Sequence, residues 1–139
     1  MSVPQSLRSE SKLDVIIKAR SLASYTIQIT KNPKTFPPEY NNGITNRIIE
    51  SATKIYMNCW TANNIYVKSV EDLQERLWLQ ETACLECNNL LALIQLAQST
   101  FHLKTSRIKF WGSKAIEVRN KIRAWNESDK KRYKESLGV

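Results

Sequence analysis

Between Ile44 and Ser136 the chain contains no proline and a single glycine, Gly112. Proline removes a backbone donor and glycine marks turns, so several short strands joined by tight reversals need both. Their absence over so long a stretch leaves helices. The four prolines, Pro4, Pro33, Pro37 and Pro38, all precede that stretch. Apolar residues recur at helical spacing where the punctuation is missing.

The spacing predicts four long helices. The first starts near Ser9 or Ser11, either of which caps orphan N–H groups, with Asp14 adding favourable charge. Its stripe is Leu13, Ile16 or Ile17, Ala19, Ala23 and Ile27, and Asn32-Pro33 ends it. Phe36-Pro37-Pro38 is a stiff connection. The second helix starts at Ile44 or Thr45 and carries Ile44, Ile48, Ala52, Ile55, Cys59, Ala62 and Tyr66 on one face. Ser69 is the expected N-cap of the third, with Asp72 in the capping-box position. Val70, Leu73, Leu77, Cys84, Cys87, Leu91 and Ile94 form the third stripe, out to about Thr100. The fourth helix, from about Thr105, has an a/d seam of Ile108, Trp111, Ala115, Val118, Ile122 and Trp125, interrupted by Asn126 and Ser128. The expected fold is an all-α, antiparallel up-down four-helix bundle over residues 1–139. Residues 1–11 are read as a flexible polar N-terminus, and 127–139 as a short helix or frayed basic tail.

Toward the end of the third helix apolarity spreads around the cylinder, through Leu90, Leu91, Ala92, Leu93, Ile94, Leu96 and Ala97. A bundle covers one side of a helix, so Leu90, Leu93, Leu96 and Ala97 are expected at an oligomer or partner interface.

At 139 residues the chain is one domain with its own core. No run is long enough to span a bilayer, and Met1 to Lys12 lacks the apolar centre of a signal peptide. Three cysteines, an odd count, fit a reducing cytoplasm better than a disulfide framework.

The charge is segregated. The net +8 divides into +5 over residues 1–68, −4 over 69–103 and +7 over 104–139. A basic protein with a strongly basic end favours a polyanionic partner. On the fourth helix Arg107, Lys114 and Lys121 repeat every seven residues, Arg119 and Arg123 form a second pair, and Lys130, Lys131 and Arg132 extend the positive end. These residues are the candidate nucleic-acid contacts, able to track phosphates without reading bases. The competing reading pairs the same stripe with Glu75 and Glu86 of the third helix. Tyr56, Trp60, Tyr66 and Trp78 offer stacking surfaces, or serve core and interface.

Catalytic chemistry is illegible. His102 is the one histidine and has no positioned partners in sequence. Cys84 and Cys87 form a C-x-x-C on the apolar stripe, with no second ligand pair and no preceding strand, so neither zinc nor a redox role is expected. Phosphate-loop, nucleophile-elbow and zincin motifs are missing. No catalytic residue, metal or cofactor is assigned.

Phe36-Pro37 ahead of the second helix, Arg47, the run from Ile48 to Ala62-Asn63-Asn64, a leucine-rich third helix, and a basic fourth helix from Ile116-Glu117-Val118-Arg119 to Ala124-Trp125 occur in that order. Together they resemble the accessory variability determinant proteins of diversity-generating retroelements, over roughly residues 12–127. These belong to the four-helix-bundle superfamily that includes proteins encoded in intervening sequences of 23S rRNA. Members often carry basic residues just after Phe-Pro, where this chain has Pro38-Glu39-Tyr40-Asn41-Asn42. The resemblance implies a non-enzymatic, cytoplasmic, bacterial or phage-encoded homopentamer. Such a protein binds RNA or DNA and associates with a reverse transcriptase during mutagenic cDNA synthesis. The alternative is a structural bundle oligomer, or an intervening-sequence-type protein with no reverse-transcriptase role.

Overall fold

A computed structural model of the chain describes residues 5–138, and the side chains of 14–134 and 136–138. Four helices dominate: α1 Gln5–Thr30, α2 Asn46–Asn63, α3 Val70–Phe101 and α4 Thr105–Leu137. The described residues contain no strand. Consecutive helices pack side by side and α1 closes against α4, which gives the expected up-down bundle. Two boundaries differ from the sequence reading. α1 begins at Gln5 instead of Ser9 or Ser11, and α4 runs through Asn126 and Ser128 to Leu137. Leu13 of the expected first stripe lies outside the described side chains.

The connections follow local chemistry. Past the end of α1, the Asn32 side chain accepts the Lys34 N–H at 3.0 Å, and its carbonyl accepts the Phe36 N–H at 2.8 Å. Phe36 is thereby turned inward and buried, edge-on to Phe101 at 5.5 Å and Trp111 at 6.2 Å. Pro37 is extended, then a 3-10 turn (Pro38–Tyr40) and one π-helical turn (Asn41–Thr45) lead into α2. Ser69 caps α3 as expected, accepting the Asp72 N–H at 3.2 Å. The Asp72 carboxylate in turn takes the Lys68 N–H at 3.0 Å, one residue beyond the usual box partner. His102 ends α3 in the left-handed region at φ 56°, and its N–H bonds Gln98 O at 3.0 Å. The lone histidine thus sits exposed at a helix C-cap.

Ile48, Ala52, Ile55, Cys59 and Ala62 of α2 are buried as the spacing predicts, but Tyr66 lies past the helix end and is 85% exposed. The α1 stripe is displaced. Val15, Ile16, Ala19, Leu22, Ala23, Thr26 and Thr30 face the core, while Ile17 and Ile27 face out. Thr26 and Thr30 are tolerated inside because their hydroxyls bond the carbonyls of Leu22 and Thr26, each at 2.8 Å. The Thr26 hydroxyl also accepts the indole N–H of buried Trp111 at 3.0 Å, tying α1 to α4.

The α3 stripe is corrected in the same sense. Leu73, Arg76, Leu79, Gln80, Ala83, Cys87, Leu90, Ile94 and Ala97 are buried, whereas Val70, Leu77, Cys84 and Leu91 are half-buried on the flanks. Arg76 and Gln80 are polar, which hid their core positions. Their partner is Asp129. Arg76 Nε donates to Asp129 Oδ2 at 2.7 Å, and Gln80 Nε2 donates to the same oxygen at 2.6 Å. Asn126 Nδ2 donates to Gln80 Oε1 at 3.0 Å. Arg76 NH1 reaches the Ile65 carbonyl at 3.2 Å, just past the end of α2, and the guanidinium lies 5.3 Å from the Trp125 ring. Asp129 stands one heptad after Ile122 on the α4 seam. The seam does not stop at Trp125; it turns polar and is matched by α3.

Candidate nucleic-acid interface

Heptad geometry places the α4 cations. Positions flanking an a/d seam on its two sides face different neighbours. Arg107, Lys114 and Lys121 line the groove toward α1, while Arg119 and Arg123 line the groove toward α3. The candidate contacts are therefore two flanks of one helix, with outward-facing Ser113, Asn120 and Glu127 between them.

On the α1 side, Lys121 Nζ lies 2.7 Å from Asp14 Oδ2, and Lys18 Nζ lies 3.3 Å from Glu117 Oε1. The hydrogen bond that Lys121 donates to Asp14 raises the Lys121 pKa above its ordinary value. Farther along, the Lys114 ammonium sits 5.3 Å from the Tyr25 ring centroid and 5.2 Å from that of Phe110. Arg107 is exposed. On the α3 side, Arg119 NH1 donates to Asn88 Oδ1 at 2.8 Å, and its buried Nε has no partner among the described residues. Arg123 is exposed and borders a shallow cleft with Glu81, Cys84, Leu85 and Asn88. Lys130 meets Glu127 at 3.7 Å, Lys131 is exposed, and Arg132 lies 5.2 Å over the Tyr133 ring.

Neither Glu75 nor Glu86 pairs with this helix among the described side chains. The ion-paired alternative survives in altered form, since the pairs cross to α1 instead of α3, Lys121 with Asp14 and Glu117 with Lys18. Arg107, Lys109, Lys114 and Arg123 meet no carboxylate within 4 Å among the described side chains. Lys109, and Phe110 with its partner Tyr25, were missed in sequence. Phe110 is exposed, and it stands between Arg107 and Lys114 in the very stripe singled out for charge.

The expected oligomer patch is partly withdrawn. Leu90 and Ala97 are fully buried in this chain's own core and cannot form an outer contact. Leu93 is half-buried against that core, and Leu96 is 48% exposed. The outer face of α3 instead shows Trp78 and Leu85, beside Glu75 and Glu81. Its one cation, Arg76, is turned inward, so the exposed charges of α3 are all acidic. Of the other aromatics proposed for stacking, Tyr56 and Trp60 pair at 6.4 Å, with Arg20 lying 5.6 Å over Tyr56.

Cys59 of α2 and Cys87 of α3 are buried in the core, while the Cys84 thiol turns toward α4, 3.8 Å from the Arg119 carbonyl. Burial is the main cause that pushes all three up, Cys87 to about 12 and Cys59 beyond the ordinary thiol range. A thiol this reluctant to ionise is a poor metal ligand and nucleophile. Among the described residues no group of three or more His, Cys, Asp or Glu is placed to hold a metal ion. No described helix is long and apolar enough to cross a membrane.

The chain matches no family model, no curated protein and no solved structure.

Proposed function

We propose that this chain is a non-catalytic nucleic-acid-binding assembly factor of the accessory variability determinant type. In this reading it acts in the cytoplasm as a homopentamer, holds RNA or DNA through phosphates, and joins a reverse transcriptase in mutagenic cDNA synthesis. The observation that carries the nucleic-acid part is the uncompensated charge of α4. Arg107, Lys109, Lys114 and Arg123 lack carboxylate partners among the described side chains, and exposed Lys131, Arg132 and Lys134 follow them on the same helix. Solvated like charges repel, and a phosphate polymer relieves that repulsion while releasing counterions. The reverse-transcriptase part rests on the sequence resemblance. The acidic, apolar outer face of α3, with Trp78 exposed and Leu85 beside Arg123 at its α4 edge, is the surface assigned to a protein partner.

A structural reading is favoured by one observation, the Lys121–Asp14 and Lys18–Glu117 pairs across the α1–α4 groove. It assigns Lys121 to the bundle and leaves Arg107, Lys109, Lys114 and Arg123 with no carboxylate among the described side chains.

Titration of labelled RNA at several salt concentrations tests the proposal. Binding should weaken linearly in log–log form, and replacing Arg123, Lys131 and Lys134 by Gln should lower the slope by about 0.7–0.9 per lost contact at unchanged melting temperature. Salt-independent or absent binding rejects it. Co-purification with a reverse transcriptase encoded beside this chain's gene tests the partner.

A further inference from the structure

Charge compensation along the α1–α4 groove stops halfway. At one end Lys121 is held by Asp14 and Lys18 by Glu117. Toward His102 the groove presents Arg107 and Lys114 with no carboxylate within 4 Å among the described side chains. Phe110 stands between these two cations and is 54% exposed. Its ring is fixed by Tyr25, which meets it edge-on at 5.3 Å, and by the Lys114 ammonium 5.2 Å from its centroid. The uncompensated half of the groove is thus also the half that shows an open aromatic ring.

A ring braced by a second ring and flanked by cations with no carboxylate partner among the described side chains matches what unpaired nucleotides require. A base stacks on the aromatic π-face, and the phosphates on either side meet the cations. Helix rise separates Arg107 from Lys114 by about 10 Å along the axis, which leaves room for a base between two phosphate contacts. A duplex keeps its base faces in its own stack and offers such a ring nothing but backbone. We propose that Phe110, braced by Tyr25 and flanked by Arg107 and Lys114, is a stacking site for an unpaired base of single-stranded nucleic acid. The inference rests on the nucleic-acid reading above and adds strandedness to it.

The test compares two probes with the same phosphates, an oligothymidylate of about twelve nucleotides, within the usual single-strand site sizes, and an abasic deoxyribose-phosphate strand of equal length. The wild-type chain should bind the thymidylate about 5- to 100-fold more tightly than the abasic strand. Phe110→Ala should erase that preference and leave the abasic affinity and its salt slope unchanged. Phe110→Leu keeps an apolar side chain against Tyr25 without a π-face, so it should behave like the alanine variant even if the latter loosens the bundle. Equal wild-type binding of both strands overturns the stacking site while the phosphate reading stands. Binding of neither strand overturns both. A Phe110→Ala variant that keeps the base preference but changes its association state in light scattering assigns the ring to a protein contact and overturns the inference.

Discussion

Arg76 and Asp129, separated by 53 positions in sequence, meet inside the bundle with Nε 2.7 Å from Oδ2. Both side chains are almost fully buried, at 3% and 2% exposure. Removing two charges from water costs several kcal/mol per ion, and the cost is offset only where geometry and further hydrogen bonds are good. Gln80, the Ile65 carbonyl and the Trp125 ring supply those partners here.

Truncating one member of this pair should be costly. Asp129→Ala leaves a buried guanidinium unpaired and is expected to lower unfolding stability by about 3–5 kcal/mol in urea titration. The double replacement Arg76→Met with Asp129→Leu removes both charges and should cost less than the two single changes together. A loss under about 1 kcal/mol for Asp129→Ala would mean that the pair is open in solution.

Alkaline pH should attack the α2–α3 contact. The folded-state pKa values of Cys59 and Cys87 are raised by burial, from an ordinary 9.0. The protonated thiols therefore contribute stability that is intact below pH 9 and is lost as pH rises toward 12 for Cys87. The slope is up to about 1.4 kcal/mol per pH unit for each thiol, and replacing both by Ala should flatten it. A disulfide-exchange reagent at pH 8 should label half-buried Cys84 first and the other two only on unfolding.

Gly112 lies inside α4 with ordinary helical backbone, and an added Cβ would meet only Leu91 Cδ2, at a comfortable 3.7 Å. Gly112→Ala should therefore stabilise by about 0.5–1 kcal/mol, read as a melting temperature higher by about 2–5 °C. His102 is the opposite case. At φ 56° it holds a conformation that glycine adopts without cost, so His102→Gly should not destabilise, whereas the β-branched His102→Ile should.

Leu96 and Leu90 separate assembly from folding. Leu96→Glu alters an exposed position and should abolish association in light scattering without moving the unfolding midpoint. Leu90→Ala opens the core and should cost about 2–5 kcal/mol of stability. A wild-type chain that is a clean monomer at micromolar concentration ends the oligomer proposal.

The legible parts of the fold are those where burial and apolarity coincide. The α2 face from Ile48 to Ala62 and the α4 seam from Trp111 to Trp125 are read directly from spacing. The reading fails where a polar residue is buried by a partner distant in sequence. Asn126 and Ser128 read as an interruption of the fourth helix, because Arg76 and Gln80, which satisfy Asn126 and Asp129, lie on another helix. Thr26 and Thr30 displaced the α1 stripe for a local reason, their back-bonds to the preceding turn. At the candidate site, the cations themselves are plain in sequence. Which groove each one lines depends on the side of the seam, and Asp14 is paired with Lys121 only once α1 packs beside α4. Phe110 lies off the a/d seam, and only the packing of α1 beside α4 brings Tyr25 against its ring.

The division of the α4 cations between two grooves governs how many ions one chain can displace from a polymer. A strand laid along the α1 side meets Arg107 and Lys114, while Arg123 stands on the far edge of a helix about 10 Å wide. A single chain therefore engages two or three phosphates per pass and yields a shallow salt dependence of about −1.4 to −2.7. Steeper dependence has to come from several copies gripping one strand, each weak alone and strong by avidity. The exponent then becomes a census of the copies on the strand, and it should rise in steps as protein concentration brings successive subunits onto one molecule.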